Sequence, residues 1–173
     1  MQPTNRSSRI LLPVKQWFVL ISLLSALLLN LIPLGRLPGL PDWVALALAF
    51  WCVREPRRVG MLTAFVLGIV MDVANAAVLG QHALAYVLVA YGASTLSRRI
   101  LWFSLPQQAL HIFPLLLLTQ VVVLLVRLIS GAEFPGWTYF LSSLTATLLW
   151  PPVSLLLLLP QYQPAEKDEN RPI

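Results

Sequence analysis

The chain has 173 residues, of which 58% are hydrophobic and only 11% charged, and its mean hydropathy is +0.77. A soluble domain carries about 25% charged residues, so this composition excludes an ordinary water-soluble fold and makes lipid the solvent. The net charge of +5 comes from basic residues scattered among apolar segments, with no aromatic-interleaved stripe, which argues for topology signals and against nucleic acid.

Six apolar segments follow in order, at residues 15–34, 40–53, 60–79, 81–100, 105–129 and 137–159. Arg6, Arg9 and Lys15 precede the first, as in a signal peptide. The run Leu31-Ile32-Pro33-Leu34-Gly35-Arg36 is a poor cleavage site and further segments follow, so a retained first helix is expected. The second segment is short: fourteen residues give about 21 Å of helix against a hydrocarbon core of roughly 30 Å, which leaves a re-entrant segment open. Basic residues arbitrate. With six spans and a cytoplasmic N-terminus, ten Lys and Arg lie inside and only Arg36 and Arg127 outside. A non-spanning second segment would move Arg54, Arg57, Arg58, Arg98 and Arg99 outside, against the positive-inside rule. The expected fold is an all-α integral membrane protein, a bundle of six transmembrane helices over residues 15–160. A cytoplasmic segment at 1–14 and a disordered cytoplasmic tail at 161–173 flank it.

Tryptophans offer a second check. Trp17, Trp43, Trp51, Trp102 and Trp137 fall near segment ends, where an indole keeps its N–H wet and its ring in lipid. Trp150 is the exception, and Pro151-Pro152 after it should kink the sixth helix.

The third segment carries the most informative residue, Asp72. A carboxylate within a span costs on the order of 3 kcal/mol or more unless it is paired, protonated or near an interface. Gly60, Ala64, Gly68, Asp72 and Ala76 recur every four residues, a small-residue face that lets helix backbones approach closely. Asp72, Asn75, Gln81 and His82 are expected to gather at the outer end of the bundle, with Arg127 of the fifth segment as counter-ion. For Asp72 three roles compete: a buried structural hydrogen bond or ion pair, proton or ion transport, and contact with a partner or lipid headgroup. His111 with Gln107 and Gln108 reads as an interfacial helix start on the opposite side from His82. No metal site is expected, because His82, His111 and Cys52 fall at different depths. There is no nucleotide-binding glycine loop, no Ser, His and acid arrangement and no carboxylate pair, so catalysis is not expected. Cys52 is single, which excludes an internal disulfide.

The run Arg57-Arg58-Val59-Gly60, then Gly68, Met71-Asp72 and Leu79-Gly80-Gln81-His82-Ala83-Leu84, closely resembles the rod shape-determining MreD family of Gram-negative bacteria. Pro41 and Trp43, Gln107-Gln108-Ala109 and Leu149-Trp150-Pro151 extend the resemblance from about Val14 to Pro160. Ala76-Ala77 departs from it, since a glycine or serine is expected there. The resemblance implies a non-enzymatic inner-membrane component of the elongation machinery, without cofactor. Its implied partners are MreC directly and MreB, RodA and PBP2 through the complex, with membrane lipid around it and a homodimer possible. It also implies a fold similar to the substrate-binding component of energy-coupling-factor transporters. The competing function is a small-molecule-binding subunit of such a transporter, which would need an outward pocket lined by polar and aromatic side chains. A channel would need more embedded charges than this chain has.

Overall fold

A computed structural model describes residues 14–32 and 39–161. The expected flanking segments, and Arg36, lie outside the described residues apart from Val14 and Gln161. The described residues form six α-helices: α1 Gln16–Leu31, α2 Trp43–Arg54, α3 Met61–Ala74, α4 Gln81–Leu101, α5 Leu105–Ile129 and α6 Leu141–Leu158. Short 3-10 turns, Trp137–Phe140 and Leu159–Gln161, bracket α6. Two stretches are long and apolar enough to cross a membrane on their own, Leu105–Ile129 and Trp137–Gln161, while α1, α2 and α3 are apolar but shorter.

The shortest helix is the centre of the molecule. Every residue from Val44 to Val53 is buried, so α2 is apolar all round because it is surrounded all round. It packs against α1 and α4, with further contacts to α5 and α6; α3 lies mainly on α4. This corrects the placement of Trp51. It is fully buried, packs edge-on against Phe18 and Phe50, and donates from its indole to Ser22 Oγ at 2.8 Å. Trp17, Trp102 and Trp137 are exposed, and Trp43 is half-buried. Trp150 is buried against Phe50, and α6 continues helical through Pro151 and Pro152.

The third helix ends five residues short of the expected 60–79. Its C-terminus is a complete Schellman motif: the Ala76 N–H donates to Val73 O at 3.2 Å and the Ala77 N–H to Asp72 O at 2.9 Å. Ala76 takes the left-handed conformation, φ 49°, where glycine is usual. Ala76 is therefore exposed and off the helix, not the last member of a packing face. Gly60 is the residue preceding the first turn, and a Cβ there would meet only Pro56 O, 4.0 Å away; it marks no close approach. Ala64 and Gly68 alone behave as expected of small residues, buried against the neighbouring helix.

Candidate functional site

The site lies at the end of the bundle where α1 and α3 finish and α2 and α4 begin, here called the distal end. Gly68 and Asp72, one turn apart on α3, receive the start of α4. A Cβ on Gly68 would sit 2.2 Å from Ala83 Cα and 2.4 Å from Ala83 N, so only glycine lets the α4 backbone lie there. One turn on, Asp72 is fully buried and accepts from Gly80 N at 2.8 Å, His82 N at 2.8 Å and His82 Nδ1 at 2.7 Å, with Ala83 N at 3.5 Å. These amides are the unpaired donors of the α4 N-terminus. Asp72 thus caps α4 from another helix, where the helix dipole also favours negative charge. Gly80 turns the chain into α4 at φ +97°, a conformation open to glycine. Because the acceptor is a carboxylate, Nδ1 of His82 carries the proton and Nε2 remains for other contacts. The ring also lies edge-on to Tyr86.

Arg127 is not the counter-ion of Asp72. No ion pair joins them within 4 Å; the side chain that meets the carboxylate is His82, through Nδ1 at 2.7 Å. Sequence reasoning looked for a formal positive charge, whereas the amides of a helix start supply the compensation. Arg127 instead lines a cavity of about 540 Å³ with Asn75, Gln81 and His82. The four gathered side chains therefore share one surface, with Asp72 buried behind His82. Asn75 ends α3, exposed, and Gln81 is buried. The remaining polar group, His111, stacks on Phe103, and its Nδ1 lies 2.9 Å from Gln107 O, on the opposite end.

A second carboxylate was missed. Asp42 precedes α2 and accepts from Ala45 N at 3.0 Å, Asn30 Nδ2 at 2.8 Å and the Tyr86 hydroxyl at 2.8 Å. Asn30 Oδ1 accepts in turn from Trp43 N at 2.9 Å. One side chain so ties α1, α2 and α4 together. Its signal was present: an Asp immediately before an apolar run is the preferred N-cap. Nothing local announced Asn30 or Tyr86. Asp42, Asn30, His82, Gln120 and Tyr139 help line a cavity of about 250 Å³. Gln120 donates to Tyr139 O at 3.0 Å and to Ser142 Oγ. The two cavities share His82, Val123 and Tyr139 as a common wall. Among the described residues there is no group of three or more His, Cys, Asp or Glu arranged to hold a metal. The site can cap, clamp and hydrogen-bond.

Comparison with known proteins agrees with the features above. Residues 11–159 match the family described as rod shape-determining protein MreD. The chain is 29% identical over 151 residues to the rod shape-determining protein MreD of Haemophilus influenzae (strain Rd), covering 83% of this chain and 91% of the relative. No solved structure matches. The chain belongs to the rod shape-determining protein MreD family.

Proposed function

We propose that this chain is a non-enzymatic inner-membrane scaffold of the cell-elongation peptidoglycan synthesis complex, crossing the membrane six times with both termini in the cytoplasm. Its direct partner is MreC, through which it serves MreB, RodA and PBP2. The observation that carries this reading is the family match over nearly the whole helical region. In this topology the distal end faces outward, so the Asp72 and Asp42 clusters stand near the outer membrane surface. The small-residue face of α3 is occupied by α4 and cannot also receive a partner helix. Docking therefore uses surfaces outside that face, and Asp72 supports it indirectly by holding α4. A strain depleted of its own copy tests the reading. This chain should restore rod shape and lateral-wall peptidoglycan incorporation; round cells with normal membrane levels of the chain would refute it.

A second reading is a small-molecule-binding subunit of an energy-coupling-factor-type transporter. The observation favouring it is the pair of distal cavities, lined by polar and aromatic side chains. Helix residues such as Asn30, Gln120 and Arg127 contribute polar groups beside those of the loops, which is why a judgement from the loops alone argued against such a pocket. A small molecule retained through purification would support this reading.

A further inference from the structure

We propose that the two distal cavities form one site for a small zwitterion whose primary amine is linked to a phosphate, as in an aminophospholipid headgroup. This rests on the second reading above, to which it gives a ligand class, and it goes beyond the scaffold reading.

One face of α5 runs through both cavities: Leu116 and Gln120 border the first, Arg127 the second, and Val123 both. The i, i+4, i+7, i+11 spacing of these four residues keeps them on that face. Gln120 is 93% buried. Its amide donors are spent on Tyr139 and Ser142, while its Oε1 accepts no hydrogen bond. A buried acceptor of this kind is costly unless a donor meets it; Oε1 is itself covered, and a donor seated in the cavity that Gln120 borders reaches it once the side chain turns inward. With the Asp42 carboxylate on the same cavity, the first compartment is rich in acceptors and negative, which suits an ammonium carrying N–H groups. Its volume of about 250 Å³ is far more than one water occupies, about 30 Å³.

The second compartment has the opposite character. Arg127 contributes a guanidinium that makes no ion pair within 4 Å among the described residues. A guanidinium fork matches the oxygens of a phosphate. The compartments meet at His82 and Tyr139, so an amine seated inward leaves its anion toward Arg127.

Phosphocholine has the same charges but no N–H to give Gln120, which makes it the discriminating probe. Calorimetry on the detergent-purified full chain should show phosphoethanolamine binding at least ten-fold tighter than phosphocholine. Arg127→Gln should weaken it about ten-fold, and Gln120→Leu should remove the preference over phosphocholine. Native mass spectrometry from nanodiscs then distinguishes the source. Retention of phosphatidylethanolamine without binding of the free headgroup compound assigns a lipid; binding of both assigns a free metabolite as well. Measurable and equal binding of the two headgroup compounds, or equal retention of phosphatidylethanolamine and phosphatidylcholine, or affinity unchanged in Arg127→Gln, overturns the proposal even if Gln120→Leu does not fold. A different small molecule retained by the protein would overturn this ligand class and leave the second reading standing. A protein that binds none of these probes and retains nothing overturns both.

Discussion

Asp72 spends its acceptor capacity inside the chain, on the first amides of α4 and on His82. Removing it strands at least two partly buried donors at about 1–3 kcal/mol each. Asp72→Ala should therefore lower the stability of the solubilised protein by about 3 kcal/mol, read as a fall in melting temperature of roughly 6–12 °C. An unchanged melting temperature would mean that the cap contributes nothing. Ala76 carries the opposite lesson. A non-glycine residue in the left-handed region costs roughly 1–2 kcal/mol. Ala76→Gly, at this exposed position with φ 49°, should raise the melting temperature by about 2–8 °C. The departure at Ala76-Ala77 was visible in the sequence. Its meaning was not, because an alanine reads as helix and nothing nearby announces a helix end.

At the scale of elements, the six helices were legible because long apolar runs separated by Gly, Pro and Arg leave few other readings. Their surroundings were less so. Trp51 sits near a segment end, and the aromatic-belt rule put it at the interface; in the fold α2 is enclosed by its neighbours and the indole finds Ser22 instead. A hydropathy profile cannot tell lipid from protein around a helix, since both are apolar. The Asp72–Arg127 pairing failed for a related reason: the sequence displays side-chain charges but hides the donors of a helix start. The α3–α4 joint was half readable, in that Ala64, Gly68 and Asp72 share the expected face while Gly60 and Ala76 do not. At this joint Gly68→Ala would drive a methyl to 2.2 Å from the Ala83 backbone, which cannot move aside as a side chain would. We expect a loss of about 3 kcal/mol, seen as unfolding in detergent at lower temperature or loss of the protein from membranes. Wild-type behaviour would show that α4 slides freely on α3.

At the scale of the whole molecule, the two acidic clusters join α1, α2, α3 and α4 at one end, and α5 and α6 complete the cavities. The six-span topology proposed above would place that end outside. Single cysteines in a Cys52→Ala background should report it: a thiol at Ala132, in the exposed turn before α6, should react with an impermeant reagent added outside intact inner-membrane spheroplasts, and one at Pro56 should not. Reversed labelling would invert the topology and move the cavities to the cytoplasm.

The most direct measurement is co-purification of the full chain with its cognate MreC from membranes, with Asp72→Ala compared at equal membrane level. A scaffold predicts a stable wild-type complex, and a variant that still inserts but releases MreC because α4 is no longer held in place. A wild-type chain that does not retain MreC, under conditions that preserve its own fold, would contradict the scaffold and leave ligand binding as the function to pursue.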